Sequence, residues 1–270
     1  MPDPATALVT TSVSEGIAHV RLNRPDKLNA LTLQTLDELI ETARELRRDR
    51  DLRAVIISGE GDSFCAGLDF ASVMKKPAGI VGAFVPNPFR GTNTFQEACW
   101  AWRRLPVPVI AAVEGHCYGG GIQIALAADF RFASPDSQWS VLEGRWGLIP
   151  DMSGIRSLSE VVGIDTAKRL TMTAQTLSGK EALDLGLVTE VAAEPVTAAE
   201  DFARELAARS PDALAAAKRL FNASYTDSAR RTFARERAEQ LFLLATSNTR
   251  AGRTAAFTKV APIFGPRARR

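Results

Sequence analysis

Three consecutive glycines, Gly119-Gly120-Gly121, separate the apolar run at residues 107–113 from the Ala-rich run at 122–128. Read locally, this is a buried strand, a turn without side chains, and the first turn of a helix. Backbone N–H groups at a helix start have no intrahelical partner and carry the positive end of the helix dipole. Glycine lets an outside group approach those N–H groups closely. The segment therefore suits an oxygen that carries, or develops, negative charge. A dinucleotide-binding turn needs G-x-G-x-x-G, which residues 119–124 do not supply. A tight strand-to-helix turn with no ligand is the competing reading.

Net charge over the 270 residues is +2, too small a field to gather nucleic acid. The basic chain end, Arg267-Ala268-Arg269-Arg270, reads as a solvated tail. Cys65, Cys99 and Cys117 are too few and odd in number for a disulfide framework, so a reducing, cytoplasmic setting is expected. The N-terminus shows no secretory pattern, and no run approaches the ~18 apolar residues of a membrane span.

Residues 7–13 and 17–22 read as a hairpin around Glu15-Gly16, and a helix begins at Thr32 with Leu36, Leu39, Ile40, Ala43 and Leu46 on one face. Residues 53–58 form a fully apolar strand, the mark of a sheet buried on both faces. Prolines and glycines across 75–91 predict a loop carrying Phe84, Val85 and Phe89, as a cover over an apolar pocket or a plain surface insertion. Capping boxes are expected at Ser178/Glu181 and Thr197/Glu200, and a cap followed by proline at Ser210-Pro211. The layout is an α/β core over 1–195 followed by a helical region over 196–270. In the latter, Leu241, Phe242, Leu243 and Leu244 form one apolar block suited to burial by another subunit.

A second small-residue turn, Ser63-Phe64-Cys65-Ala66-Gly67-Leu68-Asp69, follows the strand at 53–58 and exposes an amide at Leu68. Two such amides are the minimum for gripping one developing oxyanion. With this turn the chain resembles the crotonase superfamily, the enoyl-CoA hydratase/isomerase group. The resemblance runs in order through Leu22-Asn23-Arg24-Pro25-Asp26-Lys27-Leu28-Asn29-Ala30-Leu31, then Phe64 to Asp69, then Gly115-His116-Cys117-Tyr118-Gly119-Gly120-Gly121, then Gly147-Leu148-Ile149-Pro150. It implies a spiral of ββα units with a helical C-terminal oligomerisation region, trimers that pair into hexamers, and an acyl-CoA substrate. No metal or further cofactor is implied, coenzyme A being part of the substrate, and neither nucleic acid nor a membrane is an expected partner.

The same resemblance places the backbone N–H groups of Leu68 and Gly120 on the thioester oxygen. It sets Lys27, Leu28, Ala66, Asp69 and Phe70 where the family wraps adenine and pantetheine, with Lys27 near a CoA phosphate or simply an exposed loop cation. Trp139 and Trp146 would wall the acyl pocket. Hydratases of this family use two glutamates, whereas here the first position is Gln123, which cannot take a proton. The second is Glu143, and eight residues later comes Asp151, where the family's dienoyl-CoA isomerases carry an aspartate.

Glu143 and Asp151 on one acyl chain suit removal of a proton at one carbon and its delivery at another. The expected function is therefore movement of a C=C bond in an enoyl- or dienoyl-CoA through an enolate. The alternatives are a 2-enoyl-CoA hydratase using Glu143 alone, an enzyme with Asp151 as nucleophile, and a catalytically silent acyl-CoA-binding member. On local grounds alone, Glu143 could pair with Arg145 or Arg156, and Asp151 could cap the next helix. His19 and His116 show no Ser or Cys partner in sequence and read as structural. The three cysteines read as packing residues.

Overall fold

The computed structural model describes residues 7–75 and 77–269. Strand β1 (Val9–Ser14) turns back on β2 (Ile17–Leu22) through Glu15 and Gly16, at φ 51° and 78°. Paired positive φ values give a two-residue hairpin the twist of its strands. The later strands are β3 (Ala54–Gly59), β4 (Val109–Val113), β5 (His116–Tyr118), β6 (Phe130–Ala133), β7 (Gln138–Ser140), β8 (Leu177–Ser178) and β9 (Glu190–Val191). A six-stranded sheet has the order β1-β2-β3-β4-β6-β9 and is parallel from β2 onward; β5, β7 and β8 form a smaller sheet.

Helical crossovers cover both faces of the larger sheet, which is why residues 54–57 of β3 and all of β4 are apolar. Val55, Ile57, Val109 and Ala111 face the main core with Leu36 and Leu39 of the helix Leu33–Arg48. Ala54, Ile56, Ile110 and Ala112 face the other way, onto Ala199 and Ala203 of the helix Pro195–Ala207. Thr32 starts the helix Leu33–Arg48, its hydroxyl accepting from the Thr35 N–H at 3.1 Å.

Four expectations need correction. A helix, Pro77–Phe84, occupies the stretch expected to be a loop. Proline is tolerated in a first helical turn, whose N–H groups lack partners anyway, and the stronger breakers Pro86, Pro88 and Gly91 fall after its end. Thr197 is not a cap, because Pro195 begins its helix two residues earlier. Between β4 and the helix Gly120–Ala127 lies the extra strand β5, so the glycines do not follow the central strand directly. Arg267 is fully buried rather than solvated: its guanidinium donates to Leu52 O at 2.7 Å and Asp49 O at 2.5 Å. Those carbonyls lie just beyond the negative end of the helix Leu33–Arg48, which attracts a cation. Burial lowers the Arg267 pKa to about 10, still charged near neutrality.

The helices Pro211–Ser224, Ala229–Leu244 and Ser247–Thr258 complete the chain. Ser210 caps the first with Pro211 next, and Ser178 with Glu181 forms the expected box. Leu241 and Leu244 are exposed in the single chain.

Candidate active site

The turn after β3 pairs with β5. Cys65 N–H donates to His116 O, Tyr118 N–H donates to Cys65 O, and Cys65 stands opposite Cys117. On its other side the turn is clamped by residues 28–31: Ala66 N–H donates to Leu28 O, Leu31 N–H to Gly67 O, and Asp69 N–H to Leu31 O. The N-terminal motif is therefore scaffold for the second motif.

Asn29 holds that clamp, a role the sequence left unassigned. At φ 55° its side chain donates to Ser63 O at 2.7 Å and Glu60 O at 3.0 Å and accepts from Arg24 N–H at 2.8 Å. Asn tolerates this left-handed conformation because its short amide bonds locally, the one clue available beforehand.

Gly67 (φ 97°) packs directly on the glycine run. A Cβ on it would lie 3.1 Å from Tyr118 O and 3.7 Å from Gly119 Cα. A Cβ on Gly121 would lie 2.7 Å from Cys65 Cβ. The two turns touch backbone to backbone, and Leu68 and Gly120, each the residue after a contact glycine, line one cavity of about 310 Å³. Neither amide donates a hydrogen bond among the described residues. Gly120 N–H also opens the helix Gly120–Ala127, where the dipole favours negative charge.

Glu143 sits in the turn Leu142–Trp146 with its carboxylate over Gly119, whose Cβ would lie 3.4 Å from Glu143 Oε1. Oε1 accepts from Gln123 Nε2 at 2.7 Å, and Oε2 is buried without a partner among the described residues. Burial raises the Glu143 pKa, Gln123 opposes this, and nearby Asp151 adds to it. Neither Arg145 nor Arg156 pairs with Glu143; Arg156 is engaged by Glu160. Asp151 lines the same cavity, and burial raises its pKa too. It does not cap the helix Gly154–Val162, whose N-cap position is Ser153 with no side-chain bond.

Of the residues singled out from sequence, Ala66, Leu68, Phe70, Gly120, Gln123, Glu143, Trp146 and Asp151 line this cavity. Phe70 and Trp146 rings lie 5.7 Å apart at its rim. Ile80 and Phe84 of the helix Pro77–Phe84 add to the wall, together with Phe95, whereas Val85 and Phe89, expected in the same cover, are exposed and outside the lining.

Asp69 is not part of the cavity lining. Its carboxylate accepts from Arg24 at 2.7 Å and Ser72 N–H at 2.9 Å, and the Arg24 bond holds its pKa low. Lys27 and Leu28 are exposed, outside the cavity lining. Trp139 is fully buried, donating to Ser137 Oγ at 3.0 Å, and does not wall the pocket.

His116 has a serine partner that a separation of 53 residues concealed: Ser63 Oγ lies 2.9 Å from its Nδ1, but neither residue lines the cavity. His19 stands 3.8 Å from Glu200. Cys65, Cys99 and Cys117 are buried, and burial pushes the Cys65 thiol up to about 12, so it is no nucleophile near neutral pH.

Two amides without partners among the described residues and a buried carboxylate on one cavity are groups that can receive an oxygen gaining negative charge. The chain belongs to the Enoyl-CoA hydratase/isomerase family, which matches residues 12–266. It is 36% identical over 220 residues to the human mitochondrial Delta(3,5)-Delta(2,4)-dienoyl-CoA isomerase, covering 78% of this chain and 67% of that protein. It is also 36% identical over 209 residues to the Short-chain-enoyl-CoA hydratase of Clostridium acetobutylicum, 76% of this chain and 77% of the relative. The crystal structure of an enoyl-CoA hydratase from Polaromonas sp. JS666 superposes with a TM-score of 0.85 at 29% identity, spanning 95% of this chain and 99% of the other. The α/β architecture with C-terminal helices is thus the crotonase fold, and the chain is an acyl-CoA enzyme of that family. Among the described residues no helix is long and apolar enough to cross a membrane.

Proposed function

We propose that this protein moves a C=C bond along an enoyl- or dienoyl-CoA, and that 3,5-dienoyl thioesters suit its two carboxylates best. The observation that carries this reading is the pairing of Glu143 with an amide, Gln123, while the next carboxylate, Asp151, lies elsewhere along the same cavity.

In this reading Glu143 Oε2 takes a proton from the carbon beside the thioester. The electron pair moves through the conjugated carbons to the carbonyl oxygen, where Leu68 and Gly120 N–H groups receive the charge. Asp151, whose burial shifts its pKa upward, returns a proton at the remote carbon, so the product has the composition of the substrate. Glu143 then passes its proton to solvent and Asp151 regains one. The names of the relatives include dienoyl-CoA isomerases at 33–36% identity. A hydratase reading draws on the Clostridium relative, but beside Glu143 the side chain at 123 is an amide that cannot serve as a second proton carrier.

The test is a panel of 2-enoyl-, 3-enoyl- and 3,5-dienoyl-CoA thioesters with product analysis. Conversion of the 3,5-diene to the 2,4-diene faster than any hydration is expected. Rapid formation of 3-hydroxyacyl-CoA from the 2-enoyl thioester, with the diene untouched, would overturn the proposal.

A further inference from the structure

Gln123 is 1% exposed, at the second turn of the helix Gly120–Ala127, and its carboxamide is engaged at both ends. Its oxygen accepts from two backbone amides, Met152 N–H at 2.8 Å and Gly154 N–H at 2.9 Å. Only an oxygen can satisfy two donors, so the amide orientation follows from the network. The NH2 end is therefore the one that faces Glu143 Oε1, at 2.7 Å.

We propose that Gln123 is a positioning residue that joins the two halves of the acid–base machinery, orienting the Glu143 carboxylate while anchoring the loop that carries Asp151. The proposal rests on the reading of Glu143 as the base. With Oε1 tied to the amide, Oε2 is the oxygen left without a partner among the described residues. The two loop amides bonded to Gln123 lie one and three residues beyond Asp151. There is no slack at this joint: a Cβ on Gly154 would sit 2.8 Å from both Gln123 Cδ and Pro150 Cβ. One side chain thus sets both carboxylates against the substrate.

The chemistry explains the amide. A glutamate at 123 would still accept from Met152 and Gly154, but it would turn a second oxygen, rather than an N–H, toward Glu143. Two ionised carboxyls at that distance repel, so one of them holds its proton to higher pH. A methionine would fill the space and satisfy neither neighbour. The two variants therefore separate the two ends of the joint.

Wild type, Q123E and Q123M are compared by infrared difference spectroscopy. Each is referenced to the same protein carrying E143Q, so that the Glu143 carboxyl band is titrated without substrate. The midpoint is expected to rise by at least about one pH unit in both variants. The acid limb of the kcat–pH profile on the acyl-CoA substrate should move with it while KM stays near wild type. A residue that only fills space would leave the midpoint at its wild-type value in folded Q123M, and that result overturns the proposal. If Q123M does not fold, Q123E decides alone, because it keeps an oxygen that accepts from both loop amides; an unmoved midpoint there is equally fatal. The titration is independent of turnover. A shifted midpoint in an enzyme that moves no double bond would refute the isomerase reading and leave this one standing.

Discussion

Replacing Gly67 by alanine tests the contact on which the proposed oxyanion cradle of Leu68 and Gly120 depends. The new methyl would lie 3.1 Å from Tyr118 O, so the backbone leading into Gly119 and Gly120 must give by a few tenths of an ångström. The residue also keeps φ near 97°, a strain of about 1–3 kcal/mol for an L side chain. A stability loss of that size lowers Tm by roughly 2–12 °C at about 2–4 °C per kcal/mol in a chain this long. A 1 Å misplacement of catalytic groups costs about 10²-fold, and loss of a whole oxyanion donor about 10²–10³-fold. A wedge of a few tenths of an ångström should thus lower kcat by about 10- to 100-fold. KM should change little, since the cradle grips charge that develops only in the transition state. The control is Gly186→Ala, also at positive φ (74°) but with no atom within 4 Å of the new methyl. It should lose stability and keep kcat. Steady-state kinetics and thermal melts on both variants decide the matter. A Gly67→Ala enzyme that melts lower yet turns over at the wild-type rate would refute convergence of the two amides on one oxygen.

Asp151→Asn should slow conversion of a 3,5-dienoyl-CoA by about 10²-fold or more, and a one-position 3-enoyl shift far less; equal losses on both substrates would remove Asp151 from the remote proton step. Glu143→Gln should abolish turnover and alter stability in a pH-dependent way. Burial raises the Glu143 pKa, so the folded state binds a proton more tightly than the unfolded chain. Its stabilising contribution is complete below the ordinary glutamate pKa and disappears as pH rises through the raised value. The melting temperature of Glu143→Gln should therefore exceed wild type by more at neutral pH than at acid pH; a difference that is constant with pH would contradict the burial argument.

Periodicity and turn chemistry were enough to place the hairpin, the helix starting at Thr32 and the doubly buried strand β3, because each depends on residues near in sequence. The helix Pro77–Phe84 is not legible in composition, because a proline breaks a helix only beyond its first turn. The burial of Arg267 is not legible either, because the carbonyls it reaches lie more than 200 residues away in the chain.

Residue order along the chain set the chemical inventory: two turns stripped of side chains, Glu143, Asp151, and an amide where the family's hydratases carry a second acid. How those groups act on one another came from packing. Gly67 meeting Gly119, Asp69 spent on Arg24, and Gln123 held between Glu143 and the loop of Asp151 are contacts across 20 to 52 residues of chain. Spacing along a chain fixes which groups are present, but distance, burial and the direction of an N–H are properties of the packed core.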